Sequence, residues 1–379
     1  MIRQPSEPWK VVDLFSGCGG MSYGFYHHSN FFRIIGAVDR QVAKPGRGKH
    51  KASSTNCNAT YQRNIGITPK DADLIQLEPS DYRRELGLER EELEVLIACP
   101  PCTGFSQKNS KNHLNDDPRN RLVVRTADFV AEFLPEFLVM ENVKELLQGK
   151  QKHHFLKLRE HLEALDYSVF SQVHDLSKYG LPQRRDRALI LAWRKGKVNS
   201  FQLEAVQRKF TVRDTISHLP PLKAGAIDPN DKMHVCPSVS PTVLNRIRAI
   251  PKDGGSWGDV MNDPNLSDNE KKQLLIPSMF NTKRRKGSFP DVYGRLKWDE
   301  LAATITRECG HVGNGRYTHP EQDRLLTVRE MALLQGFPKE YIFEGALSAK
   351  YRQIGDAVPP IIAEQIAYRL IQLKLKNYS

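Results

Sequence analysis

The sequence has too little patterned cysteine for a disulfide framework. Six cysteines, Cys18, Cys57, Cys99, Cys102, Cys236 and Cys309, are scattered over 379 residues. Cys99 and Cys102 form a C-x-x-C, but no second such pair completes a zinc site, and the intervening Pro100-Pro101 suits neither metal nor redox use. All six read as reduced thiols, with no metal expected. Long apolar runs are missing as well. No stretch approaches the ~18 residues of a membrane-spanning helix, and Met1 to Lys10 has no apolar secretory core. The expectation is a soluble cytoplasmic chain with no membrane partner. Acidic residues are in deficit, 44 against 56 lysines and arginines, for a net charge of +12. A polyanionic partner is implied, and nucleic acid is the commonest. Apolar residues at 39% with ordinary glycine and proline exclude a disordered chain. The length suits one large domain plus a smaller one.

A third glycine is absent where a dinucleotide fingerprint would need it. The apolar strand Trp9 to Phe15 runs into Ser16-Gly17-Cys18-Gly19-Gly20 and then a helix, with Ser22 in the third-glycine position of G-x-G-x-x-G. This weakens a nicotinamide or flavin reading but leaves a Rossmann-like nucleotide turn. A second strand, Phe32 to Val38, ends at Asp39, 20 residues past Gly19. An acid there is placed to accept ribose hydroxyls, though a plain strand-turn-helix connection would look the same.

The short apolar strand Val95 to Ala98 ends at two prolines, which cannot donate to a sheet ladder. Cys102 follows them, beyond the carboxyl edge where open α/β sheets carry their chemistry. A cysteine is most often a small buried hydrophobe; one braced by Pro-Pro at a strand end suits a nucleophile. The polar stretch Gln107 to Arg119 reads as a long functional loop, followed by an amphipathic helix over Asn120 to Leu134. Strand Phe137 to Met140 delivers Glu141-Asn142-Val143 to the same edge, so that a thiol and a carboxyl would converge on one pocket. Strand alternation is expected to put Gln183, Arg185 and Arg187 on one face, where they need a charged partner. From Gly196 to about Tyr293 the strand-helix rhythm gives way to prolines, short apolar pieces and the basic run Lys283 to Lys286. A separate, loop-rich domain is expected there. A final helix begins near Pro360, with Ile362, Ile366, Leu370 and Leu373 as its buried stripe.

Taken together these motifs resemble, in the same order, those of the DNA cytosine-5 methyltransferases of bacterial restriction-modification type. The matching runs are D-L-F-S-G-C-G-G from Asp13 to Gly20, the Pro-Pro-Cys stretch ending at Cys102, E-N-V at Glu141, and Q-x-R-x-R at Gln183, Arg185 and Arg187. L-T-x-R-E at Leu326 to Glu330 and G-D-A-V-P at Gly355 to Pro359 complete the set. The family writes Asn where Asp356 stands, which puts that contact in question. The resemblance implies an α/β, Rossmann-like, S-adenosylmethionine-dependent domain over 1–195, a smaller target-recognition domain over 196–344, and a return to the large domain over 345–379. It implies Cys102 as nucleophile, Glu141 as acid, and Arg185 helping that acid hold the base, with Arg187 and Gln183 beside them. Arg185 and Arg187 would also favour the thiolate. The cofactor would be held by Asp13, Phe15 (stacked on adenine), Ser16, Gly17, Gly19, Gly20, Asp39 (on the ribose), Pro100, Asp356, Ala357 and Val358. Asp73 would meet the adenine amino group, with Asp71 as a rival. Double-stranded DNA is the implied partner of a monomer associated with the nucleoid, alongside a possible cognate restriction endonuclease. Basic and polar residues between Lys252 and Asp291 would read the target. Two alternatives stand beside this one: a tRNA cytosine-5 methyltransferase, and an inactive relative that only binds DNA.

Overall fold

The structure is a computed structural model that describes residues 5–41, 55–102, 116–194, 203–276 and 291–376. The basic stretch within 41–55, most of the loop after Cys102, and the run Lys283 to Lys286 fall outside them. The chain divides into two compact units, 1–179 with 186–206 and 357–379, and 180–185 with 207–356. Residues 345–356, expected with the C-terminal return, therefore pack in the second unit.

The first unit is built on a seven-stranded sheet. Its strands are β1 (Trp9–Leu14), β2 (Phe32–Asp39), β3 (Lys70–Asp71), β4 (Val95–Ala98), β5 (Phe137–Val143), β6 (Ser168–Asp175) and β7 (Asp186–Trp193), in the order β3-β2-β1-β4-β5-β7-β6. Pairing is parallel from β3 to β5, and β7 runs antiparallel to both of its neighbours. All four residues of β4 are fully buried, as are Phe137, Leu138 and Met140 of β5. A strand covered on both faces needs such continuous hydrophobicity, so the apolar runs of the sequence become its central strands. Strand order reverses between β1 and β4, the position where an open sheet leaves a crevice at its carboxyl edge. The amphipathic helix forms over Arg121–Phe133 and closes on Leu134, whose φ of 45° is left-handed. It buries Val123, Phe129, Val130 and Phe133 on the sheet.

The C-terminal helix Pro360–Lys376 packs on helix Gly20–His27 so closely that glycine is required. A Cβ at Gly20 would lie 2.2 Å from the Val358 carbonyl oxygen, and one at Gly24 only 2.3 Å from the Ala363 backbone. At the other end of the C-terminal helix Lys374 Nζ lies 2.6 Å from Glu136 Oε2 in a buried pair, 4.4 Å above the Trp9 ring.

The second unit has short helices and little sheet, so its loops are tied by side chains. Arg295 is fully buried and donates to the carbonyls of Ile247, Ile250, His319 and Gln322 and to the Asp323 carboxylate. Two of those acceptors sit at the C-terminal end of helix Pro241–Ala249, whose last carbonyls have no intrahelical partner. Arg324 makes a second buried pair with Glu330, at 2.7 and 2.8 Å. Glu330 also caps helix Val328–Leu334 reciprocally with Thr327.

In an exposed helix Gly→Ala stabilises by about 1 kcal/mol. At Gly24 the sign reverses, because a methyl group must displace backbone. Gly24→Ala is expected to destabilise by roughly 1–3 kcal/mol, seen as a lowered Tm in a thermal melt; an unchanged or raised Tm would contradict the close packing.

Candidate active site

The site of the first unit is set by strand register. Leu14 of β1 pairs with Ala98 of β4, and Ala98 pairs with Met140 of β5, so β1 and β4 end level while β5 runs three residues further, to Val143. The turns after β1 and β4 carry the glycine-rich and Pro-Pro-Cys segments, while Glu141, expected just past a strand ending at Met140, stands within the longer β5 and pairs with Leu189 of β7. Cys99 continues the ladder by one bond, donating its N–H to the Leu14 carbonyl at 3.3 Å, before Pro100 and Pro101 end it.

The glycine-rich turn is shaped for a close approach. Phe15, Gly17 and Gly19 have φ of 62°, 52° and 93°, the left-handed region. The Gly17 N–H donates to Asp39 Oδ2 at 2.6 Å, which fastens the turn to the end of β2. A Cβ added at Gly17 would meet no protein atom within 4 Å, so the turn borders open space. Beneath it lies Asp13, only 1% exposed. Its Oδ2 accepts from Ser22 Oγ at 2.5 Å, and Ser22 accepts from the Tyr61 hydroxyl at 2.7 Å. Its other oxygen, Oδ1, is buried with no hydrogen-bond partner among the described residues. Burial pushes the Asp13 carboxyl up to about 7, against the opposing Ser22 bond, with the Asp39 charge adding to the rise. This donor set, an orphaned carboxyl oxygen beside an open glycine turn and a half-buried Phe15, fits an adenosine-bearing cofactor with a cationic end.

Of the two acids considered for the adenine, Asp71 pairs in register with Asp39 and accepts from the Gln41 N–H at 3.0 Å. The Asp73 carboxylate is engaged with Arg40 at 2.5 Å and with the Ile75 N–H at 3.0 Å. The two-residue β3 places Asp71 beside Asp39 at the sheet edge, and Asp73 lies two positions past its end.

The two thiols of the C-x-x-C are not equivalent. Burial, then the charges of Glu141 and Asp13, pushes the Cys99 thiol well above its ordinary value, so it stays protonated. Cys102 is exposed. A basic residue that went unnoticed lies near it. Arg119 is held above its ordinary value first by its hydrogen bond to Asp117 and also by the Cys102 charge. It stands in a non-periodic polar stretch, where nothing in the pattern singles it out. Asn142 also went unassigned. Its Nδ2 donates to the Pro100 carbonyl at 2.9 Å, in a buried contact that ties the end of β5 to the Pro-Pro brace.

Glu141 is 8% exposed, and Arg187 of β7 lies against it, Nε to Oε1 at 2.9 Å. The contact is ionic rather than an aligned hydrogen bond, because Oε1 has no donor of good geometry among the described residues. Lys144 and Asp186 form a neighbouring pair at 3.0 Å. Gln183, Arg185 and Arg187, expected on one strand face, do not share one. The strand starts only at Asp186, so alternation does not extend back to the other two. Gln183 is fully buried in the second unit, donating to the Leu334 carbonyl and Gln335 and accepting from the Ile305 N–H. Arg185 donates to the Ile305 carbonyl at 3.0 Å. Within the first unit it is Arg187 that meets Glu141. Asp356 ends helix Leu347–Asp356 in the second unit, paired with Arg307 at 2.7 Å. Ala357 and Val358 belong to the first unit, with the Val358 carbonyl against Gly20. Ser16 and Pro100 sit in the turns after β1 and β4.

Residues 9–372 match the family model of the C-5 cytosine-specific DNA methylases. The Type II methylase M.HgiDII of Herpetosiphon aurantiacus is 31% identical over 94% of this chain and 93% of its own length. The Type II methyltransferase M1.HphI of Haemophilus parahaemolyticus is 28% identical over 96% and 86%. DNA (cytosine-5)-methyltransferase 3 of Arabidopsis thaliana is 27% identical, and the chain spans 32% of it. Among solved structures, a putative DNA modification methyltransferase from an Escherichia coli prophage shares the fold, with a TM-score of 0.65 at 23% identity over 97% of this chain and 99% of that one. The Dnmt2 methyltransferase of S. pombe does so with a TM-score of 0.59 at 18% identity over 97% and 99%. Matched along nearly its whole length, the chain belongs to the C-5 cytosine-specific DNA methylases.

Proposed function

We propose that the chain transfers a methyl group from S-adenosylmethionine to carbon 5 of a cytosine flipped out of a specific double-stranded DNA sequence, through a bond between Cys102 Sγ and ring carbon 6. The observation that carries this reading is the register of β1, β4 and β5, which sets Leu14, Ala98 and Met140 side by side and so brings the glycine turn, the exposed Cys102 and the buried Glu141 carboxyl to one sheet edge. Bound S-adenosylmethionine supplies an electrophilic methyl on a sulfonium. Phe15, the Gly17–Gly20 turn, Asp39, Asp71 and the orphaned Asp13 oxygen would hold it, with Ser16, Pro100, Ala357 and Val358 lining the same edge.

Carbon 5 of cytosine is a poor nucleophile until a thiolate adds at carbon 6 and leaves an enamine. That is the work of Cys102, and the Arg119 guanidinium favours the thiolate over the thiol. Protonation or hydrogen bonding at ring N3 makes carbon 6 electrophilic. Glu141 supplies this, and Arg187 orients its carboxyl. After methylation a base takes the carbon 5 proton and Cys102 leaves with its electron pair. A stacked base cannot reach these groups, so flipping is required, at a cost of about a few kcal/mol. Gln183 and Arg185 position the 302–306 segment of the second unit, which we take as the target-recognition domain. The names of the two bacterial relatives make a restriction endonuclease of the same specificity the expected companion of a monomeric enzyme acting on duplex DNA.

Methyl transfer from radiolabelled S-adenosylmethionine to mixed-sequence genomic DNA, with bulk tRNA in parallel, tests the reading. Label is expected in DNA and lost completely in Cys102→Ala. Label in tRNA alone would overturn the substrate, and label in neither would overturn the activity.

Removing the Asn142 donor leaves the Pro100 carbonyl unsatisfied and loosens the brace that aims Cys102. Asn142→Ala is expected to lower kcat by on the order of tenfold or more with little change in KM for DNA, as for groups acting at the chemical step. A KM effect alone would count against the brace.

Asp13 gives a pH signature. In the unfolded chain its carboxyl ionises near the ordinary value of 3.8, and in the fold near 7. Between these values the folded state binds more protons, so stability falls as pH rises through the window. Asp13→Asn keeps an acceptor for Ser22 and removes the ionisation. Its Tm should fall less than wild type between about pH 4 and 7. Parallel curves across that range would refute the shift.

A further inference from the structure

We infer that Asp116, His153 and His154 form a binding site for a divalent ion of the cobalt-to-zinc group, separate from the residues assigned to catalysis. Each side chain offers one donor atom, and the three atoms lie within 4.8 Å of one another. His154 Nε2 is 2.9 Å from both Asp116 oxygens, and His153 Nε2 is 3.7 Å from Asp116 Oδ2. Two ligands of one tetrahedral ion, each bonded at about 2.0–2.1 Å, stand roughly 3.3–3.5 Å apart. The two spacings to Asp116 bracket that distance, and the His153 and His154 donor atoms lie within 4.8 Å of each other. The imidazole rings lie side by side, centroids 4.1 Å apart and tilted by 36°.

The surroundings prepare these ligands. Asn120 is fully buried and donates to Asp116 Oδ1 at 2.8 Å. This fixes the carboxylate in the way that metal-bound carboxylates are held by a further hydrogen bond. His154 is buried, whereas His153 and Asp116 have side chains 47% and 42% exposed, which leaves room for water at the remaining positions. Two imidazoles and one carboxylate select zinc, cobalt or nickel, and offer too few oxygens for calcium or magnesium. The helix His153–Ala164 points its positive N-terminal end at the cluster, which opposes a cation. The Asp116 anion in the same set outweighs that partial charge. An ion here would fasten the turn before helix Arg121–Phe133 to a helix 38 positions away from Asp116 in sequence.

Tag-free full-length protein, stripped with EDTA and titrated with Co2+, tests the site independently of methyl transfer. Visible absorption of nitrogen- and oxygen-bound cobalt is expected, without the near-ultraviolet band of thiolate ligation. Zn2+ should displace it, and Zn2+ should raise the Tm. Binding should weaken at least tenfold in His153→Ala and in Asp116→Asn, two exposed positions whose metal-free melts report folding, and should persist in Cys102→Ala. No metal-dependent signal in the wild type, equal affinity in all three variants, or a signal lost with Cys102→Ala would each overturn the site.

Discussion

The register of three parallel strands is the constraint on which the site depends. Leu14, Ala98 and Met140 stand side by side because their strands are buried on both faces and can shift only by exposing apolar side chains. Each strand then hands its next residues to the same edge. Prolines end β4 abruptly and glycines turn the chain after β1, so the thiol segment and the open turn come from two different backbone devices. One edge gathers chemistry from residues more than a hundred positions apart in the sequence.

Burial at that edge separates groups of the same kind. Cys99 and Cys102 are three positions apart, yet one thiol is desolvated beside two carboxyls and the other is exposed. Asp13 and Asp39 flank one turn, but Asp13 keeps a proton to near neutral pH while Asp39 fastens the turn through Gly17. Environment assigns the roles. Residue type alone would leave them open.

The second unit is held by a different force. Where the first unit satisfies its backbone through a sheet, the second brings Arg295, Arg324 and Gln183 inside to satisfy carbonyls that no strand reaches. A buried guanidinium has five donors in a fixed fork, and Arg295 uses them on five acceptors. Such a core is specific but depends on each partner being in place, since an unpaired buried charge is strongly destabilising.

Continuous apolar runs, Pro-Pro and paired glycines act locally, and so the sequence by itself determined the central strands, the glycine turn, the exposed Cys102 segment and the C-terminal helix at Pro360. Motif order likewise identified the family. Pairings between distant segments were decided by the tertiary structure alone. Only β7 running antiparallel beside β5 brings Arg187 against Glu141. Only the two-residue β3 sets Asp71 beside Asp39. Asn142, Arg119 and the Asp116–His153–His154 cluster had no spacing to announce them. Their meaning lies in what they approach across the fold, and a linear pattern carries no record of distance between residues that the backbone separates.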